Sequence, residues 1–166
     1  MFTIRCTKKL LVRLGASRTT AAPQEPGAPT TRLGDWHANA LYLAGAEELV
    51  LFVNDRSLLP VIVPARPRDL IVARFVEAVG ATLRRLGIPE SVVVAELAEM
   101  ADARLGPTKS RQILGSMNDF DRMFDEELAR SRLLVDAGLR LADAPCGPLS
   151  MRRPRDIAVE LLSAGE

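Results

Sequence analysis

Three observations predict an α+β fold, with a small antiparallel meander sheet of three to four strands packed against several α-helices. Between residues 36 and 64, apolar residues alternate or run unbroken over short stretches joined by brief polar turns. Beyond residue 70 the apolar period becomes 3.6. The strands also precede the long helices rather than alternating with them, unlike an α/β chain.

The elements follow in order. "FTIRC" is rich in β-formers and reads as a first strand. Thr7 is placed to cap a helix over "KKLLVRL", whose Leu10, Leu11 and Leu14 share a face, and Gly15 stops it. Residues 16–31 hold three prolines, a glycine and four threonines, the composition of a flexible loop. In "DWHANALYL", Trp36, Ala38, Ala40 and Tyr42 fall on one side and His37, Asn39, Leu41 and Leu43 on the other. "AGAEE" turns the chain into "LVLFVN", whose continuous apolar run predicts a central strand buried on both faces. Asn54, Asp55 and Arg56 make the next turn through the local hydrogen bonds such residues favour. Pro60 in "LLPVIVPA" suits an edge strand.

Val72, Phe75, Val76, Val79, Leu83 and Leu86 form a helical stripe, with Asp69 as its cap and Gly87 as its end. Pro89 opens a second helix that buries Val93, Leu97 and Met100. "RLGPT" breaks the pattern, and Thr108 is placed to cap a third helix. There Ile113, Met117, Phe120, Phe124 and Leu128 make the most regular stripe in the chain. Residues 133–143 suit either helix or strand, since "LRLAD" alternates. A terminal helix starts near Pro154.

The totals limit what this fold can do. A chain of 166 residues with 48% hydrophobic and 26% charged residues is expected to form a single domain, 1–166. Its net charge of +1 argues against binding nucleic acid or membrane by bulk charge. A local patch leaves nucleic acid as a less favoured partner, and no membrane partner is expected. Arginine outnumbers lysine 19 to 3 and alanine is abundant, the bias of a GC-rich bacterial genome. Cys6 and Cys146 form no CxxC pair and read as reduced thiols of a cytoplasmic protein. With one histidine, no metal site and no cofactor are expected.

The third helix carries the main candidate surface. Arg111, Gly115, Asn118 and Arg122 lie within a sector of about 60°, opposite the apolar stripe. A glycine there costs roughly 1 kcal/mol against alanine and permits close approach of a ligand or another backbone. A solvated face, or tight packing of the N-terminal segment over Gly115, would explain the same residues. Lys109 and Arg111, at a helix start, and Lys8 offer positive charge for an anion. His37 and Asn39 share one side of a strand, where an imidazole and a carboxamide could orient a substrate or move a proton.

Five fragments, "CTKKLL", "LGDWHANAL", "LVLFVNDRSLLPVIVP", "LGSMNDF" and "APCGPL", together resemble a family of small uncharacterised bacterial proteins known as a domain of unknown function. The resemblance covers most of the chain. It implies that the basic, acid-free first 24 residues belong to the domain rather than to a transit peptide, and it implies no activity. The residues therefore favour a non-enzymatic binding or regulatory module for a protein or an anionic ligand, with Arg111, Gly115, Asn118, Arg122, Lys8, Lys109 and Asn39 as binding residues. The alternative is a metal-independent enzyme on a phosphorylated or nucleic-acid substrate, with His37 as acid/base. A homodimer through an exposed strand edge is a third expectation.

Overall fold

The structure, a computed structural model, describes residues 1–15, 28–42, 48–108 and 110–164. Five strands form one mixed sheet: β1 (Phe2–Cys6), β2 (Trp36–Tyr42), β3 (Glu48–Asn54), β4 (Pro60–Pro64) and β5 (Ala103–Pro107), in the spatial order β4-β3-β2-β1-β5. The expected meander is β2–β3–β4, and both of its pairings are antiparallel. The expectation of a purely antiparallel sheet of three to four strands is corrected by β1 and β5, which pair parallel to each other, with β1 also parallel to β2. The stretch "RLGPT" thus mostly belongs to β5 rather than to a break between helices.

Among the described residues, six α-helices cover both faces. On one face, α1 (Lys8–Arg13), α2 (Ile71–Arg85), α3 (Glu90–Glu99) and α6 (Pro154–Ser163) meet Phe2, Ile4, Cys6, Trp36, Ala38, Val50, Phe52, Val61 and Val63. On the other, α4 (Arg111–Ala129) and α5 (Leu134–Leu141) meet Leu41, Leu49, Leu51, Val53 and Ile62. Residues 49–53 are buried from both sides, as the unbroken apolar run of β3 requires. Phe75 lies at the centre of the first layer, stacked on Phe52 at 4.0 Å and edge-on to Trp36 at 5.0 Å. The ambiguous residues 133–143 contain a helix because α5 must pass β4 closely. A methyl group on Gly138 would stand 3.2 Å from the Pro60 carbonyl oxygen.

Three expected caps act elsewhere. Thr7 precedes α1, but its hydroxyl donates to Asn39 Oδ1 at 2.9 Å rather than to the helix. A 3₁₀ turn over Arg68–Leu70 precedes α2, so Asp69 makes no cap bond. The N-cap of α4 is Ser110, whose Oγ accepts the Ile113 N–H at 3.3 Å, which frees Thr108 for another role. Residues 16–27 of the expected loop, and residues 44–47 of the expected turn in "AGAEE", lie outside the described residues. Of the expected loop, residues 30–31 are held in place: Thr30 bonds to Met1, and Thr31 is buried. Just beyond, the buried Glu96 carboxylate accepts the N–H groups of Arg32 (2.8 Å) and Leu33 (2.9 Å).

Candidate functional site

Two strands leave the sheet side by side in opposite ways. β1 and β5 are parallel neighbours, with Cys6 opposite Pro107. The chain after β1 enters α1 on one face of the sheet, while the chain after β5 enters α4 on the other. In open α/β sheets such a divergence is where a ligand cleft forms, outside the carboxyl ends of the strands. Thr7 and Thr108 stand at that position, and the Thr108 N–H donates to the Cys6 carbonyl at 3.0 Å.

The α4-side face of β1 and β5 is polar. Strand alternation puts Thr3 and Arg5 of β1, Arg104 and Gly106 of β5, and His37 and Asn39 of β2 on the α4 side. Asp35, just before β2, accepts the Thr3 N–H at 2.9 Å and an Arg5 guanidinium N–H at 3.0 Å. Asn39 Oδ1 accepts both the Thr7 hydroxyl and the Ala40 N–H, each at 2.9 Å.

His37 occupies the middle of this network and is only 2% exposed. Its Nδ1 lies 2.7 Å from Thr108 Oγ1, and its Nε2 lies 3.3 Å from Asp55 Oδ1. A carboxylate only accepts, so Nε2 carries the proton in the neutral ring, Nδ1 accepts, and Thr108 donates its hydroxyl. The bond from His37 holds the Asp55 carboxyl below its usual range against the effect of partial burial, with help from the charges on His37, Arg5 and Arg56. Asp55 itself is half-exposed, at the rim of the turn. That turn forms as the sequence predicts: Asn54 Oδ1 accepts from the N–H groups of Arg56 and Ser57 and from the Ser57 hydroxyl.

The predicted site residues divide into two groups. His37 and Asn39 lie on β2 beside β1, while Lys8 and Arg111 are the exposed first residues of α1 and α4, the helices that follow β1 and β5. Lys109 lies outside the described residues. Gly115, Asn118 and Arg122 lie farther along α4, all exposed, while Ile113, Met117, Phe120 and Phe124 are buried beneath. No atom comes within 4 Å of a methyl group placed on Gly115, so the reading in which the N-terminal segment packs tightly over it is corrected. Arg122 pairs with Asp119 at 3.4 Å within the same helix.

Sequence reasoning missed Asp55, Thr108 and the Arg5–Asp35 pair. Asp55 and Thr108 each had a sufficient local explanation, as a turn former and a cap. Their partner His37 is 18 and 71 residues away. The His37 ring is buried and both of its nitrogens are engaged, one by Thr108 and the other by the half-exposed Asp55. Cys6 is buried, and that burial pushes its thiol up to about 12, away from the reactive thiolate.

Among the described residues no helix is long and apolar enough to cross a membrane, and no three His, Cys, Asp or Glu side chains are grouped to hold a metal ion. No curated protein and no solved structure matches the chain. A family model does match, over residues 3–157, a span that takes in all five fragments of the resemblance, and the chain belongs to that family, a domain of unknown function (DUF6933).

Proposed function

We propose that this chain is a non-enzymatic binding module whose ligand, a small anion or an anionic group of a larger partner, occupies the cleft at the carboxyl ends of β1 and β5. The observation that carries the reading is the divergence of α1 and α4 to opposite faces directly after two adjacent parallel strands. Lys8 and Arg111, the first residues of the two diverging helices, are exposed and add positive charge at that end of the sheet. Thr7, Thr108 and Asn39 add polar side chains beside the strand ends. The two free thiols, Cys6 and Cys146, suit a cytoplasmic setting. The outer face of α4, by contrast, offers an open glycine and an arginine already paired within its own helix.

A thermal-shift panel of phosphate, pyrophosphate, nucleoside monophosphates and di- and tricarboxylates tests this. At least one anion should stabilise the protein. A Lys8→Glu/Arg111→Glu variant, altered only at exposed positions, should lose that response, while Gly115→Trp should keep it. A response abolished by Gly115→Trp and untouched by the charge reversals would move the ligand to the α4 face. No response to any anion would remove the cleft reading.

A further inference from the structure

We propose that the outer face of α5 is the contact surface of a homodimer, in which α5 packs antiparallel against α5 of a second copy. The inference is independent of the anion reading above and uses none of its residues. Arg132, Asp136, Leu139, Arg140 and Asp143 line one surface pocket of about 570 Å³. At 100° per residue they fall within a sector of about 100°, so charge alternates in sign along a single stripe. Neither Arg132 nor Arg140 has an acidic partner among the described residues, and both are exposed. Asp136 gives Oδ1 to Arg85 at 2.8 Å, and Asp143 gives Oδ1 to Arg155 at 2.9 Å and to Arg153 at 3.9 Å. The Oδ2 atom of each has no partner among the described residues. Ser131 lines the same pocket, and its buried Oγ has no hydrogen-bond partner either, an uncommon state for a buried hydroxyl. The stripe thus holds two free guanidiniums, two spare carboxylate oxygens and an unsatisfied hydroxyl.

A stripe whose charge alternates in this way matches a reversed copy of itself. About a two-fold axis near position 138, Arg132 stands opposite the partner's Asp143 and Asp136 opposite the partner's Arg140, and the symmetry repeats both pairs. At a rise of about 1.5 Å per residue, each arginine lies within about 1 Å of its aspartate along the axis. A parallel, in-register copy would instead set like charges face to face. The antiparallel pairing uses both free guanidiniums and both spare carboxylate oxygens of each chain. Leu139, half-buried near the axis, and Leu133, 52% exposed at the start of α5, add apolar surface beside the charges. Such a contact is isologous and closes on itself, so assembly stops at the dimer. The helix is only eight residues long, which makes the interface small and the dimer weak. The edge strand β4 offers a poorer contact, since it begins and ends with proline.

Sedimentation velocity on the unaltered chain, from about 5 μM to about 1 mM, should show monomer giving way to dimer and to nothing larger. Raising the salt from about 0.05 M to about 0.5 M should weaken the association at least about tenfold, because exposed ion pairs are screened. Neither measurement needs a variant to fold. Arg132→Glu, which alters an exposed side chain, and Asp143→Arg should each remain monomeric. Mixed together they should form a dimer, because only the mixed pair sets opposite charges at both 132–143 contacts. A wild-type chain that stays monomeric at every concentration overturns the proposal, and so does a dimer that Arg132→Glu leaves intact. Two folded variants that fail to pair when mixed overturn the antiparallel register. A monomer whose α5 amide shifts move on addition of inorganic phosphate would give this face to an anionic ligand, and that also overturns the dimer. All of these outcomes leave the test of the β1–β5 strand ends unaffected.

Discussion

Replacing Gly115 with alanine should stabilise this protein by about 1 kcal/mol. Gly115 is the fifth residue of α4, a 19-residue helix, and therefore sits in a helix interior. Glycine there costs about 0.8–1.0 kcal/mol against alanine, through the extra backbone freedom it loses on folding. Whether removing the glycine recovers that amount depends on what the new methyl group meets. At Gly115 it meets nothing within 4 Å, so no clash offsets the gain and no new packing adds to it. For a chain of this size the change raises Tm by roughly 2–4 °C. Urea denaturation should show a higher midpoint at unchanged slope, since no extra surface is buried. Gly138 is the control. Its methyl group would stand 3.2 Å from the backbone oxygen of Pro60, so Gly138→Ala must push on the edge strand and should gain less than Gly115→Ala or lose stability. A Gly115→Ala protein no more stable than wild type, or a Gly138→Ala protein more stable than Gly115→Ala, would refute the packing described for these two helices.

Other expectations concern the core and the polar network. Phe75→Ala removes a fully buried ring packed among Phe2, Trp36 and Phe52 and should cost about 3–5 kcal/mol in equilibrium unfolding. Glu96→Gln sets an amide NH₂ against one of two backbone N–H donors and should cost about 1–3 kcal/mol, read in the same way. The Asp55 carboxyl titrates below its unfolded value, so its stabilisation is present above the unfolded carboxylate range and is lost as pH falls through the lowered folded value. Asp55→Asn should therefore make the acid limb of the stability–pH profile shallower, by a modest amount because solvent screens a half-exposed group. Cys6 should resist thiol reagents in the native protein and react only on unfolding, as its burial and raised thiol predict.

The parts of the fold that local pattern specifies were legible in the sequence. The unbroken run 49–53 announces a strand covered on both faces, and the Ile113–Met117–Phe120–Phe124 spacing announces α4 and its exposed side. β5 was hidden because it is five residues long and contains Gly106 and Pro107, residues that strands disfavour. It is a strand only because β1, about a hundred residues earlier, provides its ladder. Without β5 the parallel pair, and hence the proposed cleft, cannot be seen. Thr108 failed for a related reason: a threonine just before a helix is locally a cap, and only the approach of His37 gives its hydroxyl a better acceptor. His37 and Asn39 were found by alternation along β2, which records the face of a residue but not what comes to meet it.

Amide mapping tests most directly whether an anion seats at the ends of β1 and β5. In a phosphate titration of ¹⁵N-labelled protein, an anion seated there predicts saturable shift changes at Thr7, Asn39, Thr108 and Arg111, with Gly115, Asn118 and Arg122 little moved. Changes centred on Gly115–Arg122, or none that saturate at the four cleft residues, would contradict it.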